Sequence, residues 1–340
     1  MRMAIARKKI FISGVAGFLG SHLADAFLAR GYAVSGCDSL LGGYRDNVNH
    51  DVEFYEADCT DFVRMKEVLR EVDIVYHCAA TAYEGLSVFS PYFITKNIVQ
   101  ASVSLITAAL HNRAQRFVYC SSMARYGTNA VPFTEDMSPA PQDPYGIGKY
   151  SGELFLRNLG QVHGLDYVIA VPHNIIGPRQ KYDDPYRNVA SIMINRMLQG
   201  KQPIIYGDGE QKRCFSFIQD DIDILLLLAE SPQAVGEIIN IGPDQEFVSI
   251  NTLAKILAEL LNFSFDPIYI PGRPQEVKLA NCSADKARRL FGYNPRVSLR
   301  AGLQAMIEYI RARGPKPFTY HIDLELVTGS TPKTWSEKIF

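Results

Sequence analysis

Short apolar runs alternate with longer segments of helical periodicity through the first half of the chain. Each run is four to six residues of strand type, and each helical segment repeats apolar residues every three or four positions. Strands that alternate with helices predict βαβ units, whose right-handed crossovers give an α/β fold with a doubly wound parallel sheet. The predicted strands are 8–13, 32–37, 52–55, 74–78, 116–121 and 166–171, and the predicted helices are 18–30, 91–111 and 145–163.

This rhythm changes after about residue 175, where a polar loop rich in proline begins. We interpret 1–175 as the sheet domain, with return elements from about 204–245. We interpret 176–313 as a smaller α/β lobe that closes over the carboxyl ends of the strands. The role of 314–340 cannot be read, although Thr331 and Pro332 could begin a last short helix through Phe340. The predicted helices of this half are 189–198, 220–229, 250–261 and 299–311, and its predicted strands are 203–206, 214–218 and 237–241.

Composition narrows the function classes. Hydrophobic residues make up 47% and charged residues 21%, an ordinary globular balance. The net charge is -1, which argues against a nucleic-acid partner. No apolar run reaches about 18 residues and the start does not resemble a signal peptide, so we expect a cytoplasmic protein without a membrane span. The six cysteines form no C-x-x-C pair, which predicts reduced thiols and no metal site.

A glycine-rich turn lies between the first strand and the first helix. Gly14, Gly17 and Gly20 would let the backbone approach a pyrophosphate at a helix N-terminus, although tight helix packing also explains such glycines. Asp38 closes the second strand, where a carboxylate accepts hydrogen bonds from both ribose hydroxyls of NAD and repels the 2′-phosphate of NADP. The pattern therefore favours a Rossmann sheet with NAD. Asp58, after the third strand, could contact the adenine or lie in a helix N-cap region.

Tyr145 and Lys149 are one helical turn apart and share a helix face. A phenol has a pKa of about 10, and a nearby ammonium would lower it. Tyr145 could then act as a general base on a hydroxyl that loses hydride from its carbon. Ser122 follows the fifth strand and could share that hydroxyl. The spacing alone is common, and an exposed helix face is the alternative.

Seven motifs occur in family order: GVAGFLGSHL, HCAA, YCSSMARYG, PYGIGK, GPRQ, IIYGDGEQKR and GRPQEVKLANCSADKAR. Over about residues 8–312 the chain resembles the NAD-dependent nucleotide-sugar epimerases and dehydratases, which are extended short-chain dehydrogenases. Within them it is most similar to 4-epimerases of UDP-galactose and UDP-N-acetylglucosamine. The resemblance implies tightly bound NAD, a nucleoside diphosphate sugar in the smaller lobe, and a homodimer formed through helices 91–111 and 145–163.

The same resemblance implies roles for individual residues. The catalytic positions are Ser122, Tyr145 and Lys149. The cofactor-binding positions are Gly14, Gly17, Phe18, Leu19, Gly20, Asp38, Ser39, Leu40, Gly43, Asp58, Cys59, Cys78, Ala79, Ala80, Thr81, Asn97, Ser121, Tyr145, Lys149, Pro172 and His173. The substrate-binding positions are Ser122, Met123, Tyr145, Asn174, Asn188, Ile205, Tyr206, Arg213 and Arg273.

The residues after Ser122 bear on the reaction. Related 4,6-dehydratases carry Asp-Glu there, and related decarboxylases carry a glutamate at the second place. Here the two places hold Met123 and Ala124, which transfer no proton. We therefore expect 4-epimerisation through a transient 4-keto sugar. A dehydratase with rearranged acids, a 4-dehydrogenase and a non-catalytic NAD-binding regulator stay open.

Several positions depart from the family pattern. His173 could donate a proton or stack on the sugar, and Pro172 replaces a common tyrosine. Arg125 replaces a small apolar residue, and we expect a surface salt bridge there in preference to recognition of a uronic acid. Ala280 at the pocket-size gate predicts room for N-acetylhexosamines. Glu84 is expected to be a solvated loop acid.

Overall fold

Parallel strands and their connecting helices form the first half of the molecule, in a computed structural model that describes residues 8–340. Each predicted strand and helix of this half is present, with ends within about one residue of the prediction. The second half adds shorter strands. The strands are β1 (Lys9–Ser13), β2 (Ala33–Asp38), β3 (Glu53–Glu56), β4 (Ile74–His77), β5 (Arg116–Cys120), β6 (Asp166–Pro172), β7 (Ile175–Ile176), β8 (Ile204–Tyr206), β9 (Lys212–Arg213), β10 (Ser216–Phe217), β11 (Ile238–Ile241), β12 (Val248–Ser249), β13 (Ile268–Ile270) and β14 (Leu279–Ala280).

Short helices that the periodicity did not predict join the longer ones. Three of them, α2, α3 and α10, have at most seven residues, too few for a helical repeat to show in the sequence. The helices are α1 (Phe18–Ala29), α2 (Phe62–Val68), α3 (Glu84–Ser87), α4 (Pro91–Thr95), α5 (Ala101–His111), α6 (Pro144–His163), α7 (Val189–Leu198), α8 (Ile218–Leu228), α9 (Ile250–Leu261), α10 (Asp285–Phe291), α11 (Leu299–Arg313) and α12 (Lys333–Ser336).

Seven parallel strands form the central sheet in the order β11-β6-β5-β4-β1-β2-β3. From β1 the chain winds outward through β2 and β3, and from β4 it winds the other way through β5 and β6. The reversal between β1 and β4 creates a crevice at the carboxyl ends of the strands, where open α/β sheets bind ligands. The predicted doubly wound sheet is confirmed.

Both faces of the sheet are covered by helices. Ile10 and Ile12 of β1 pack on one face with Leu23 of α1, whereas Phe11 packs on the other with Leu105 of α5. All five side chains are fully buried, as parallel strands between two helical layers require. Their burial fixes β1 at the centre of the molecule and holds its carboxyl end at the crevice.

Three elements of the second half return to the sheet domain. Helix α8 packs beside α1, β11 pairs with the outer edge of β6, and α10 packs against β11 and α8. Helices α7, α9 and α11 form the smaller lobe around a separate apolar core that includes Ile194, Leu253 and Leu303. The predicted strand 214–218 is reduced to β10, because Ile218 already begins α8.

The stretch Pro91–His111 is long and apolar enough to be a candidate membrane span, with a mean hydropathy of 1.3. Half of its most apolar window is buried inside the fold, and core helices of soluble proteins pass the same test. The expectation of no membrane span therefore stays a prediction. The interpretation of the first residues as no signal peptide falls partly on 1–7, outside the described residues.

The last segment is mostly irregular. Its helix α12 begins after Pro332 as predicted but ends at Ser336, well before Phe340. Lys338 has a φ of 53°, a left-handed conformation that stops a right-handed helix. The segment crosses both halves of the molecule, as described below.

Candidate active site

A large cavity opens at the carboxyl ends of the sheet strands and extends into the smaller lobe. Its walls come from the loops after β1, β2, β4, β5 and β6 and from α7, β8 and β9. All predicted site residues lie in the described range, and 26 of the 29 line this cavity. The three that do not are Leu40, Gly43 and His173.

Leu40 and Gly43 pack against residues next to the cavity, Asp38 and Ala16. The N–H of Leu40 donates to Asp38 Oδ1 at 2.8 Å, while its neighbours Ser39 and Leu41 line the cavity. A Cβ on Gly43 would lie 2.4 Å from the carbonyl oxygen of Ala16, so this glycine packs against the glycine-rich turn. Neither side chain lines the cavity, so the prediction that these two residues bind the cofactor stays a prediction.

His173 is buried away from the cavity. Its Nε2 is 3.0 Å from the carbonyl oxygen of Pro243, and its ring packs against Gly242. Burial lowers the pKa of the imidazole, which keeps it neutral. Both predicted roles, a proton donor near the sugar and a ring stacked on it, are wrong, because the chain turns the side chain toward the loop after β11.

The dinucleotide end of the cavity is shaped by close backbone contacts. Gly14 has a φ of +74°, and a Cβ there would lie 2.8 Å from Ala79 N. A Cβ on Gly20 would lie 2.2 Å from the carbonyl oxygen of Gly14. Helix α1 starts at the cavity with no side-chain cap on its N-terminal N–H groups, which leaves them available to a phosphate. This cradle fits the pyrophosphate of a dinucleotide.

Asp38 completes this end of the cavity. Its carboxylate accepts from Ala16 N at 3.0 Å and from Leu40 N at 2.8 Å, which fixes the side chain at the end of β2. Burial raises the pKa of Asp38, while the backbone donors act in the opposite direction. An anchored carboxylate at this place fits the ribose hydroxyls of NAD.

Asn97 reaches the cavity from an irregular turn of helix. The segment Lys96–Gln100 is a π-helical turn between α4 and α5, and the Asn97 side chain donates to Phe93 O at 2.9 Å. Such wide turns are frequent at functional sites because they displace one side chain from the regular helical face.

Helix α6 carries the predicted catalytic pair, Tyr145 and Lys149. Asp143 caps its N-terminus through Gly146 N at 2.8 Å, and Tyr145 and Lys149 follow on the cavity side. The Lys149 Nζ donates to the carbonyl oxygen of Cys120 at 2.8 Å, and burial lowers its pKa to about 8. The Lys149 ammonium is thus tied to the end of β5.

Burial dominates the acidity of the Tyr145 phenol and raises its pKa to about 12. The Ser122 hydroxyl acts in the opposite direction, and the charges of Glu84 and Asp143 raise the pKa further. This corrects the prediction that Lys149 holds the phenol below its usual pKa. In the protein alone, Tyr145 is a protonated phenol beside the Ser122 hydroxyl.

A buried ion pair supports the strand end behind Ser122. Arg125 is 1% exposed and Glu153 is 0% exposed, and Nε of Arg125 lies 2.9 and 3.1 Å from the two carboxylate oxygens. Ser121 donates its hydroxyl to the same carboxylate. The predicted surface salt bridge is therefore wrong in its location: Arg125 is buried against Glu153 and does not line the cavity.

Glu84 belongs to the cavity wall. It begins α3, its side chain is open to the cavity, and the charges of Arg213 and Arg273 act on it. Burial inside the cavity raises the pKa of Glu84. Ala280, by contrast, does not line the cavity, because it pairs in β14 opposite Arg213 and packs into the core. Its side chain therefore does not bound the cavity, and the room for N-acetylhexosamines stays a prediction.

Several cavity residues escaped sequence reasoning. Arg187 and Tyr186 line the cavity, and Arg187 donates to Gly42 O at 3.0 Å, which links the two lobes. The order Asp143-Pro144 is a readable N-cap signal for α6. Nothing in the sequence marks Trp335, which also lines the cavity.

Asp143 makes stability depend on pH. Burial raises its pKa to about 7, with a further contribution from the Glu84 charge. The folded protein therefore binds an extra proton between about pH 4 and pH 7, and this contribution to stability is lost as pH rises toward 7. Asp143→Asn keeps the cap acceptor. We expect it to reduce the drop in unfolding free energy between pH 5 and pH 7.5 by about 2 kcal/mol.

Urea unfolding at both pH values checks this expectation. The exposed Asp51→Asn is the matched control and should follow the parent protein at both. An Asp143→Asn protein with an unchanged drop would show that another group is responsible.

A family model described as the NAD-dependent epimerase/dehydratase family matches residues 10–242. The chain belongs to this family. A UDP-glucose 4-epimerase of Mycolicibacterium smegmatis is 32% identical over 314 residues, which cover 89% of this chain and 98% of that protein. Among solved structures, the UDP-glucose 4-epimerase of Thermotoga maritima with UDP-glucose is 33% identical, has a TM-score of 0.84 and matches 90% of this chain and 99% of its own.

A second solved structure is the UDP-glucuronic acid 4-epimerase of Bacillus cereus with UDP-glucuronic acid and NAD. It is 30% identical, has a TM-score of 0.84 and matches 90% of this chain and all of its own. As a member of the NAD-dependent epimerase/dehydratase family, this chain is an NAD-dependent enzyme, and the glycine cradle and Asp38 are the residues that would hold NAD.

Proposed function

We propose that the protein is a nucleotide-sugar 4-epimerase that acts on a UDP-sugar with bound NAD. One observation carries the proposal: a single cavity joins the dinucleotide cradle at Gly14, the phenol of Tyr145 and the arginines of the smaller lobe. Relatives whose names give UDP-glucose or UDP-glucuronate 4-epimerase activity share this fold along nearly their whole length.

The chain's own groups define the proton path. NAD, when bound, supplies a hydride acceptor that is regenerated in each turnover. Tyr145 exchanges a proton with the sugar 4-hydroxyl, and the Ser122 hydroxyl shares that oxygen. Met123 and Ala124 next to Ser122 offer no group that would take a proton from C5, which disfavours elimination. Oxidation at C4 followed by reduction from the other face is the reaction that these residues favour.

The smaller lobe holds the charged part of the substrate in this proposal. Arg213 and Arg273 line the cavity, and two guanidiniums form forked hydrogen bonds with phosphate oxygens. Arg273 is paired with Glu276 at 2.7 Å and lies 4.6 Å over the ring of Tyr206. A bound diphosphate would replace the Glu276 carboxylate as the partner of the Arg273 guanidinium.

Incubation with a panel of nucleotide sugars tests the proposal. The panel contains UDP-glucose, UDP-N-acetylglucosamine, UDP-glucuronic acid and a GDP-sugar, and NMR resolves the product sugars. Inversion at C4 is the expected result. A 4-keto-6-deoxy product would overturn the proposal in favour of a dehydratase. Because Arg125 is engaged by Glu153, recognition of a uronic acid by that arginine is not part of the proposal.

We also propose a homodimer through α4, α5 and α6. Tyr92 is 76% exposed and Ile147 51% exposed, and Leu154 and Phe155 add to the same apolar surface. An apolar groove between α2 and the helices at 91–107 adjoins it. Exposed apolar residues on neighbouring helices are typical of a subunit interface.

Phe155→Glu places a charge in this surface and is expected to convert the dimer into a monomer. Light scattering during size-exclusion chromatography measures the mass, for which the chain alone contributes 38.0 kDa. Leu227→Glu, an exposed change on α8 away from these helices, serves as the control and should leave the mass unchanged. A Phe155→Glu protein that keeps the parent mass would place the interface elsewhere.

A further inference from the structure

The C-terminal segment 314–340 is fastened to the smaller lobe first. Asn195 of α7 donates to Lys316 O at 2.8 Å and accepts from Lys316 N at 3.0 Å. Thr319 N then donates to Asp183 O at 2.8 Å. These bonds fix the path of the backbone as it leaves α11.

The segment is fastened next to the sheet domain. The backbone N–H groups of Glu325 and Leu326 donate to Phe89 O at 3.0 and 2.9 Å. The carboxylate of Glu325 accepts from Tyr92 N at 2.8 Å and Phe93 N at 2.7 Å, at the start of α4. The segment therefore bridges the two halves of the molecule on either side of the cavity.

The last part of the C-terminal segment returns to the cavity and forms part of its wall. Trp335 is 2% exposed and donates Nε1 to Pro185 O at 3.1 Å. Its ring packs against Phe89 and Tyr186, with centroids 6.0 and 5.9 Å apart. Trp335 and Phe340 are both cavity-lining residues.

The position of Trp335 in the cavity follows from its neighbours. A Cβ on Gly85 would lie 3.4 Å from the Trp335 ring and 3.1 Å from a guanidinium nitrogen of Arg273. Gly85 follows Glu84, whose charge acts on the phenol of Tyr145. The indole is thus packed at the place where the reacting end of the cavity meets the arginines.

The residue before Trp335 contacts the smaller lobe. The hydroxyls of Thr334 and Tyr206 are hydrogen-bonded, and Tyr206 carries the guanidinium of Arg273 over its ring. The C-terminal segment therefore also orients a predicted substrate contact on β8.

We propose that the segment 314–340 completes the substrate site and that Trp335 is a specificity-determining residue, whose ring bounds the cavity at the junction of sugar and diphosphate. Calling the ligand a nucleotide sugar rests on the function proposed above. The segment lies beyond the family match of residues 10–242.

Trp335 is the only tryptophan in the sequence, so fluorescence reports on this wall alone. Full-length holoenzyme is titrated with UDP and with UDP-N-acetylglucosamine, excited at the red edge of indole absorption, with binding measured in parallel by calorimetry. We expect emission to change in intensity with the same midpoint as binding, and more strongly for the nucleotide sugar than for UDP.

The two proposals fail in different ways. A holoenzyme that binds and epimerises nucleotide sugars without any change in emission overturns the wall and leaves the function standing. An emission change on binding, without any epimer formed from the whole panel of nucleotide sugars, supports the wall and overturns the function.

Variants supply a second measurement. Trp335→Ala is expected to raise KM for UDP-N-acetylglucosamine roughly tenfold and to change its kcat/KM ratio to UDP-glucose by roughly threefold or more, since loss of the buried indole removes the packing that holds Gly85 and Tyr186 in the cavity wall. Trp335→Phe should restore most of both. Val327→Ala, an exposed change in the same segment, is the control. An unchanged KM and ratio in Trp335→Ala, with parent NAD content, would overturn the role in specificity.

Discussion

Tyr145→Phe is expected to lower kcat by a factor of about 10²–10⁴ while NAD stays bound. The change removes one oxygen atom and keeps the aromatic ring in the first turn of α6. The phenol is the cavity group placed beside Ser122. In its deprotonated form it takes the 4-hydroxyl proton as hydride leaves C4, and it returns that proton when hydride comes back. Turnover is measured by NMR of the sugar products, and NAD content by absorbance of the denatured protein.

Tyr150→Phe is the matched control for that experiment. Tyr150 lies on the same helix next to Arg125 and outside the cavity wall, so its hydroxyl has no part in the proton path. Parent-like turnover by Tyr145→Phe would contradict the base assignment. Loss of NAD from the variant would show that the phenol acts chiefly in binding.

Removing one partner of the Arg125–Glu153 pair is expected to cost about 3–5 kcal/mol of unfolding free energy. Arg125→Leu leaves the Glu153 carboxylate buried without its cation, and Glu153→Leu leaves the guanidinium without its anion. Both charges lie out of reach of water, so neither is relieved by solvent. Urea unfolding at pH 7 measures the loss in each variant.

The double variant Arg125→Leu with Glu153→Leu separates the pair from its surroundings. We expect it to recover much of the loss, because no unpaired charge is left. The exposed Arg300–Glu259 pair gives the control, where Arg300→Leu should cost less than about 1 kcal/mol. If Arg125→Leu and Arg300→Leu lost the same unfolding free energy, burial of the Arg125–Glu153 pair would add no extra cost, which would contradict the prediction.

Local signals made the cofactor cradle and the catalytic helix predictable. The left-handed φ of Gly14 and the close contact of Gly20 with the Gly14 carbonyl both lie within one strand–turn–helix unit. Tyr145 and Lys149 share a face because of helical spacing alone. Each of these features is set by residues close in sequence, so pattern reasoning reaches them.

Features that depend on distant partners were not predictable in this way. Arg125 is buried because Glu153 of α6 meets it across the sheet end, and His173 turns away because the loop at Gly242 receives it. The Trp335 wall depends on contacts with residues far apart in the chain, and the segment that carries it has no periodic pattern. Its role follows only from tertiary structure.

The return of α8 and β11 to the sheet makes the two halves one cooperative folding unit. A fragment ending near residue 175 would expose the apolar face of α1 that α8 covers. It would also leave the outer edge of β6 with unpaired N–H and C=O groups, a surface on which identical chains aggregate. Unfolding of the whole chain should accordingly follow a single transition, and attempts to exchange the smaller lobe between relatives will succeed only if these two sheet-bound elements stay with their original sheet.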